Sequence, residues 1–511
     1  RRREPMTPIK ALHHQADSRP DQVAFVFGGE IWTYARLAAE TEHLSCALLA
    51  HGVRQGDRVA LHMTNLPELV TAYYACMQIG AIAAPLNTRF KTAELRSLLK
   101  RLRPVLYLGE AKLYPQVAPI EPEILGRHVR YIVGDAIHDD GAQPWAHLFH
   151  VPIQRLPLND PDIGAPALLL TTSGTTGQPK FVTDTPATLA AKTNALLPLL
   201  EDGDIAINAV PMVHAAGLFT TFMFVRQGVP MVLLDRFDAG AVLEAIEAYR
   251  CSWMTGLPFM FAEMTRRQRE TNCDIGSLRF CLVGGDVCPM TLQHEFENVF
   301  GVPLSNFCGA TETAGSLIHG LKVGPVSRIA PGAEVRLVDE TGAPTPRGEV
   351  GELQVRGPHV TIGYWDGPGK INDLRSHGWF ATGDLMRQGE GDELWFVARK
   401  KDLIIRGGSN ISPAEVEHVL MTHPAVGNAV VVGVPDAVLG QRVAGLVELA
   451  ERAHDPAIIP EILAYAKAQL ADYKAPERLE IVAEIPRNAL GKIDRLSSLA
   501  MLTEDAVAEM A

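Results

Sequence analysis

The sequence predicts an α/β protein that has a large N-terminal domain of stacked sheets and a small α+β C-terminal domain. The chain has 511 residues, which is more than one hydrophobic core normally serves. Through roughly its first 290 residues, apolar strand patterns alternate with amphipathic helix patterns, as in layered α/β proteins. Beyond about residue 330, short strands lie between glycine-rich turns, which indicates an antiparallel, barrel-like patch on the large domain.

The N-terminal elements follow a strand–helix order. A strand, a helix and a second strand are predicted at Arg58–Met63, Pro67–Ile79 and Ala81–Leu86. A strand, a helix and two strands are predicted further on, at Val229–Leu234, Ala239–Arg250, Cys251–Thr255 and Leu278–Val283. Alternation of this kind favours largely parallel sheets covered by helices. The helix places four larger side chains on one face: Val242, Leu243, Ile246 and Tyr249.

In the last third of the chain, the predicted secondary structure changes first to an antiparallel patch and then to a second domain. The barrel-like patch is predicted to contain the strands Ala333–Leu337, Gly351–Val355 and Glu393–Val397. A domain boundary is placed at residue 400, which gives domains of residues 1–400 and 401–511. In the second domain, Ser412, Pro413 and Glu415 form the pattern of a capping box that opens a helix. A strand, a helix and a strand are predicted to follow, at Ala429–Val434, Pro460–Leu470 and Leu479–Ala483.

The composition excludes several classes of protein. The net charge of −12 argues against a nucleic-acid surface, although local basic patches for phosphates remain compatible with it. No apolar run reaches the roughly 18–20 residues that a transmembrane helix needs. The seven cysteines are odd in number and widely spaced without a C-x-x-C pair, which suits a reducing compartment such as the cytoplasm and gives no metal site.

The most informative segment reads Thr-Thr-Ser-Gly-Thr-Thr-Gly-Gln-Pro-Lys, at residues 171–180 after an apolar strand. Gly/Ser/Thr/Pro clusters are usually plain turns. Here the glycines allow close approach of backbone N–H groups to phosphate oxygens, the hydroxyls add donors, and the lysine adds positive charge. The spacing is not that of a Walker loop. The candidate phosphate-binding residues are Thr172, Ser173, Gly174, Thr175, Thr176, Gly177 and Lys180.

Five further segments carry groups that chemistry on a nucleotide requires, although each alone has a plainer interpretation as a turn, a helix start or a solvated surface. A hydroxyl beside a carboxylate suits a phosphate and Mg²⁺, and an acid in a glycine-flanked turn suits ribose hydroxyls. A lysine behind a glycine near the C-terminus suits a charge that is delivered during one step. These segments are Cys308–Glu312, Gly378–Leu385, Arg399–Gly408, Pro486–Arg495 and, around a lone histidine, Pro211–Leu218.

The order T-S-G-T-T-G-x-P-K at 172–180, followed by the five segments in sequence, resembles the adenylate-forming superfamily. That superfamily includes acyl-CoA synthetases, luciferases and the adenylation domains of peptide synthetases. The resemblance covers roughly residues 7 to 500 and implies an ATP-dependent acid–CoA ligase whose small C-terminal domain is mobile. It also implies that ATP and Mg²⁺ are used and that coenzyme A is a co-substrate.

The resemblance assigns roles to individual residues. Thr311, after Gly309, would contact the α-phosphate, and Glu312 would bind Mg²⁺. Asp384 and Arg399 would bind the ribose. Lys401 would be the hinge, and Gly407 and Gly408 would lie beside a pantetheine arm. Lys492 would bridge the attacking carboxylate and the α-phosphate, and His214 would lie at the acyl pocket and gate the thiol tunnel.

The sequence departs from the superfamily pattern at two places. Tyrosine usually precedes Gly309 and stacks on adenine, whereas this chain has Cys308, with Phe307 one place earlier. Glycine usually follows the loop lysine, whereas this chain has Phe181. The first departure leaves open what stacks on the base, and the second predicts different packing behind an intact loop.

The substrate is expected to be an aromatic or a short- to medium-chain acid, because the expected pocket is mostly small and apolar. That pocket is expected to be lined by residues 214–219, 253–261, 284–288 and 308–315, with Trp253, Phe259 and Phe261 as its bulk. The identity of the acid stays open, as does the choice between a homodimer and a monomer. The main alternative is a stand-alone adenylation enzyme that loads an amino or fatty acid onto a carrier protein. A non-catalytic nucleotide-binding protein and a phosphotransferase are less favoured.

Overall fold

The computed structural model confirms a mixed α/β protein with a large N-terminal and a smaller C-terminal part. It describes residues 6–125, 130–134, 141–150, 162–172, 179–318, 320, 323–324, 326–376, 378–436, 438–450, 456–488 and 491–508. The helices are α1 (Pro8–Ser18), α2 (Tyr34–Ala50), α3 (Pro67–Ile79), α4 (Thr92–Leu102), α5 (Pro122–Leu125), α6 (Pro186–Leu196), α7 (Ala215–Gln227), α8 (Ala239–Tyr249), α9 (Pro258–Thr271), α10 (Met290–Phe300), α11 (Pro413–Met421), α12 (Ile459–Gln469) and α13 (Arg495–Ala508).

The strands before residue 310 are β1 (Val23–Phe27), β2 (Glu30–Thr33), β3 (Arg58–His62), β4 (Ile82–Pro85), β5 (Leu106–Glu110), β6 (Arg130–Val133), β7 (Ala142–Pro144), β8 (Leu168–Thr172), β9 (Lys180–Asp184), β10 (Ala206–Asn208), β11 (Met231–Leu233), β12 (Trp253–Gly256), β13 (Phe280–Gly284) and β14 (Leu304–Phe307). The later strands are β15 (Leu317–Ile318), β16 (Val326–Ile329), β17 (Glu334–Val338), β18 (Val350–Arg356), β19 (Gly363–Trp365), β20 (Ile371–Asp373), β21 (Phe380–Gln388), β22 (Glu393–Arg399), β23 (Ile404–Arg406), β24 (Ser409–Ile411), β25 (Val426–Asp436), β26 (Gly440–Leu449) and β27 (Arg478–Ile481).

Two largely parallel sheets form the N-terminal part. The seven-stranded sheet has the order β14-β13-β12-β10-β11-β1-β2, and only its edge strand β2 is antiparallel to its neighbour. The nine-stranded sheet has the order β20-β19-β9-β8-β4-β3-β5-β6-β7, parallel from β8 to β7 and antiparallel from β8 to β20. The largest core joins Phe25 of the first sheet, Leu61 of the second, and buried side chains of α3 and α7. The predicted stacking of sheets around helices is therefore present.

The antiparallel region and the C-terminal part each have a sheet of their own. The six strands in the order β15-β16-β22-β21-β18-β17 pair antiparallel throughout, so the antiparallel character predicted beyond residue 330 is observed. In the C-terminal part, β24, β23, β26 and β25 pair antiparallel, and β27 adds to β26 in parallel. A separate apolar core lies under this sheet, as an independently packed unit requires.

Side-chain caps explain where several helices begin. Thr33 and Asp238 accept backbone N–H bonds at the starts of α2 and α8, which satisfies donors that have no partner within the helix. Ser412 caps α11 by accepting from the Glu415 N–H at 3.3 Å. The predicted start of this helix is therefore confirmed. The Glu415 carboxylate forms an ion pair with Lys474 at 2.7 Å, so its partner lies outside the helix. Val242, Leu243 and Ile246 of the predicted α8 face are buried, whereas Tyr249 at the end of the helix is 39% exposed.

Within the part of the chain that the structure describes, no helix combines the length and the apolar character needed to cross a membrane.

Candidate active site

A cavity of about 1040 Å³ lies against the carboxyl ends of strands β12, β13 and β14 of the seven-stranded sheet. Such an edge is where parallel α/β sheets usually bind ligands. The C-terminal part contributes Gly491 and Lys492 to its wall. The predicted site residues that line the cavity are Thr172, Lys180, His214, Gly309, Thr311, Glu312, Arg399, Lys401 and Lys492.

The two ends of the predicted phosphate loop are on the cavity wall. Thr172 ends β8 and Lys180 begins β9, while Ser173, Gly174, Thr175, Thr176 and Gly177 lie outside the described residues. The Lys180 ammonium lies 4.6 Å from the centre of the Tyr364 ring, within the range of a cation–π contact. The Tyr364 hydroxyl in turn donates to the Glu312 carboxylate at 2.9 Å. One tyrosine therefore links the loop lysine to the predicted metal-binding acid.

Thr311 and Glu312 lie on a single turn of 3-10 helix, Thr311–Thr313. The turn is fixed from behind, because the Thr361 N–H donates to the Glu312 carbonyl at 2.9 Å. The Glu312 carboxylate offers hard oxygen atoms at the cavity wall. Magnesium in nucleotide sites is usually held by one or two carboxylates together with substrate phosphates. A single carboxylate fits that arrangement, and among the described residues no cluster of three or more His, Cys, Asp or Glu forms a metal site by itself.

Asp384 and Arg399 are neighbours across the β21–β22 ladder, and the Arg399 Nε lies 2.6 Å from the Asp384 Oδ1. Asp384 is 2% exposed. Burial raises the pKa of Asp384, and the Arg399 guanidinium opposes that shift. Arg399 lines the cavity, whereas Asp384, the other predicted ribose ligand, lies behind it and off the cavity wall.

Lys492 enters the cavity on a tight turn of the C-terminal part. Gly491 has φ +79°, and a Cβ there would lie 3.2 Å from the Phe259 ring, so glycine lets the loop reach the wall. Burial lowers the pKa of Lys492, whereas the carboxylates of Asp286, Glu312 and Asp384 oppose that shift. The structure thus places a partly buried ammonium among the acids that surround the predicted phosphate site.

His214 is the residue before α7 and lies on the same cavity wall. Burial, together with the positive charges of Lys492 and Arg89, lowers the pKa of His214 to about 4. The ring is therefore neutral at pH 7.

Phe307 lines the cavity. It lies next to Cys308, the position at which the sequence leaves open which residue stacks on adenine. Its ring atoms would lie 3.2 Å from a Cβ on Gly309, so the ring covers that glycine. Cys308 packs toward the core of the antiparallel sheet instead, and burial raises the pKa of its thiol above the usual range. The aromatic face at this position is thus one residue earlier than the superfamily pattern has it.

Some expected residues lie elsewhere. Gly407 and Gly408 form the turn of the β23–β24 hairpin, away from the cavity wall. The prediction that Trp253 and Phe261 line the acyl pocket is wrong. Trp253 begins β12, distant from its carboxyl end, and packs in the largest core. Phe261 packs edge-to-face against Phe296 of α10.

Sequence reasoning did not identify several residues that line the cavity. Tyr364 and Lys192 carry no motif signal, and Lys192 resembles any helical lysine until the fold buries it. Three further cations line the cavity without a local pattern to mark them: Arg89, Lys112 and Arg236.

Comparison with known protein families shows the family to which the chain belongs. The AMP-binding enzyme model matches residues 12–365, and the model of the C-terminal domain of AMP-binding enzymes matches residues 415–492. The chain belongs to the family of AMP-binding enzymes. Among curated relatives, it is 33% identical to an indoleacetate–CoA ligase of Aromatoleum aromaticum, over 94% of this chain and 95% of the relative. It is 30% identical to a medium-chain fatty-acid–CoA ligase of Escherichia coli, over 97% and 91% of the two chains.

Solved structures agree with this family. An anthranilate CoA ligase in complex with anthranoyl-AMP superposes with a TM-score of 0.89 at 25% identity, covering 98% of each chain. The match extends across both parts of this AMP-binding enzyme, so the arrangement of its large and small parts is one that a relative adopts with an acyl-adenylate bound.

Proposed function

We propose that this AMP-binding enzyme joins a carboxylic acid to the thiol of coenzyme A in two steps, through an acyl-adenylate. The observation that carries the proposal is the position of Lys492. A cation from the C-terminal part lies in one cavity with Lys180, Thr311 and Glu312, which come from two separate segments of the large part. A site that joins two anions needs such converging charge.

In the first step, a carboxylate oxygen of the acid attacks the α-phosphorus of ATP. The bond from the α-phosphorus to the bridging oxygen breaks, and pyrophosphate leaves. Lys492 approaches both reacting anions and offsets their repulsion, while the loop that ends at Lys180 holds the phosphate chain. Glu312 would hold Mg²⁺, which supplies further positive charge to the phosphates when it is bound.

The ribose and the base of the nucleotide are held by a second group of residues, which includes Arg399 and Phe307. Asp384 accepts bonds from the ribose hydroxyls, and Arg399 donates beside it. Phe307 provides an aromatic face for the base, since Cys308 points into a core. This assignment explains how a chain without tyrosine before Gly309 can still bind adenine.

In the second step, the C-terminal part rotates about Lys401 and withdraws Lys492. The thiol sulfur then attacks the carbonyl carbon of the acyl-adenylate, the bond from that carbon to the AMP oxygen breaks, and the thiol proton passes to solvent. The Gly407–Gly408 turn would lie beside the pantetheine arm. Arg89, Lys112 and Arg236 suit the phosphates of coenzyme A.

The acid is an aromatic or a short- to medium-chain acid. The deep wall of the cavity is formed mainly by apolar side chains, including Leu196, Ala216, Phe219, Leu282 and Ala314. The names of the relatives cover both acid types, because they include indoleacetate, a medium-chain fatty acid and anthranilate. The described cysteines are all free, which suits the cytoplasm. Light scattering would decide between a monomer and a homodimer.

The experiment is an AMP-release screen over a panel of aromatic and aliphatic acids, with ATP, Mg²⁺ and coenzyme A. The proposal expects AMP and a thioester in equal amounts, with at least one acid of this class. Release of ADP would contradict it, and so would AMP release that requires no acid. Replacing coenzyme A by a phosphopantetheinylated carrier protein tests the alternative acceptor. A product with the carrier and none with coenzyme A would favour the carrier-loading enzyme.

A further inference from the structure

Lys192 is a buried lysine that the proposed reaction does not use. Its Nζ lies 2.8 Å from the Asp184 Oδ2 and 2.8 Å from the Thr311 carbonyl oxygen. Neither side chain of the Lys192–Asp184 pair has any exposed surface. Burying two charges carries a large desolvation penalty even when the pair is well bonded, so the fold keeps this pair at a considerable cost.

The acid of the pair is fixed by its own strand and helix. Asp184 is the last residue of β9, the strand that Lys180 begins directly after the phosphate loop. Its other carboxylate oxygen accepts a bond from the Thr188 hydroxyl at 2.9 Å. Lys192 follows on α6, two turns along the helix. Burial lowers the pKa of Lys192, and the neighbouring Asp184 charge opposes that shift.

The segment that carries Thr311 lies directly on this helix. Gly315 has φ +84°, and a Cβ there would lie 2.9 Å from the Cα and 2.9 Å from the carbonyl oxygen of Lys192. Only glycine therefore allows the Thr311–Gly315 segment to sit this close to the backbone of α6. The hydrogen bond from Lys192 to the Thr311 carbonyl joins the same two segments. Two independent features, the close packing at Gly315 and this hydrogen bond, therefore hold the Thr311 turn against α6.

We propose that Lys192 is a positioning residue for ATP binding: with Asp184 it holds the Thr311 carbonyl, and so aims the Thr311 hydroxyl and the Glu312 carboxylate at the phosphate chain. Lys192 acts through Thr311 and touches no substrate. The inference rests on the proposed use of ATP, but not on which acid or thiol completes the reaction.

The test replaces the pair together, because Lys192→Met alone would leave the Asp184 charge buried without its partner. Lys192→Met combined with Asp184→Asn removes both charges and the bond to Thr311. We expect the dissociation constant of Mg·ATP, measured by calorimetry on the full chain, to rise about 10-fold, since a bond to a charged donor is lost from the support of the turn. The Michaelis constant for the acid should stay unchanged. The calorimetric readout is informative even if no thioester is ever formed.

A matched control separates positioning from general stability. Asp204 is 3% exposed in its side chain and pairs with Arg279 at 2.5 Å, outside the cavity. Arg279→Met combined with Asp204→Asn should lower the melting temperature without changing the dissociation constant of Mg·ATP. Wild-type nucleotide affinity in the folded Lys192 double variant would overturn the proposal, and so would an equal loss of affinity in the control.

Gly315→Ala provides a second route if the double variant does not fold. A methyl group at this position pushes the turn away from Lys192 without touching either charge. Weaker Mg·ATP binding by the folded Gly315→Ala protein supports the proposal, and unchanged binding contradicts it.

Discussion

Two lysines reach the same cavity from different parts of the molecule, and they are held in opposite ways. Lys192, on α6 of the large part, has an ion pair and a carbonyl bond, both at 2.8 Å. Lys492, from the C-terminal part, is held through its backbone: its carbonyl accepts from the Asn488 N–H at 2.8 Å. In the described part of the chain, its ammonium has no salt bridge within 4.0 Å. The difference agrees with the proposed function, in which Lys192 stays tied to a protein acid, whereas Lys492 comes and goes and pairs with the substrate.

The largest loss of activity is expected when the carboxylate proposed to bind Mg²⁺ is removed. Glu312→Gln keeps an oxygen that can accept from the Tyr364 hydroxyl but loses the negative charge. We expect the rate of acid-dependent pyrophosphate exchange to fall about 10²- to 10³-fold, because the charge compensation of the phosphates is lost. Glu295→Gln, on the exposed face of α10, should leave the rate unchanged. A wild-type rate and an unchanged Mg²⁺ requirement in Glu312→Gln would remove Glu312 from the site.

A smaller loss is expected at the fixed nucleotide wall. Asp384→Asn removes the charge that pairs with Arg399 and weakens the acceptor for the ribose. The Michaelis constant for ATP should rise about 10-fold, and discrimination against 2′-deoxy-ATP should shrink with it. The matched variant is Asp392→Asn, since Asp392 pairs with Arg328 in the same antiparallel sheet. If Asp384→Asn still discriminates against the deoxynucleotide as wild type does, the ribose lies elsewhere.

A weaker contact holds the turn of Lys492, the lysine proposed to move, against the large part. The Ile493 N–H, next to Lys492, donates to the Asp286 carboxylate of the large part at 3.3 Å. Asp286→Ala should slow adenylate formation by about 3- to 10-fold, because the turn loses a charged acceptor. Thioester formation from supplied acyl-AMP should not slow, since Lys492 has left by then. Asp286→Asn, which keeps an acceptor, should lie between the two. Equal slowing of both half-reactions would show that Asp286 does not act through docking.

Lowering the pH should gradually reduce the stability of the large N-terminal part. His62 on β3 is fully buried, and burial lowers its pKa to about 4. Its unfolded pKa is about 6.5, so the unfolded chain binds a proton first and stability falls as the pH drops from 6.5 toward 4. This residue alone should make the free energy of unfolding about 2 kcal/mol smaller at pH 5 than at pH 7. Urea unfolding of wild type and His62→Gln at both pH values measures the effect. An identical pH dependence in the two proteins would contradict it.

The sequence predicts what is local and misses what the fold brings together. The motif around Lys492 and the elements α3 and β3 could be predicted, because glycine placement and apolar periodicity act over a few residues. Whether an aromatic side chain faces the cavity or the core could not be predicted. Trp253 is close in sequence to residues that line the cavity, but it lies at the amino end of β12, away from the cavity. The Lys192–Asp184 pair was also missed, because neither residue differs from an ordinary surface charge until α6 is buried against the Thr311 turn.

The central claim, that Lys492 serves only the first step, is tested most directly by measuring the two half-reactions of Lys492→Ala separately. The account predicts that adenylate formation, followed by pyrophosphate exchange, is lost, while thioester formation from supplied acyl-AMP and coenzyme A stays close to wild type. Lys467→Ala, an exposed lysine on α12 of the same part, should leave both half-reactions intact. An equal loss in both half-reactions of Lys492→Ala would contradict the account.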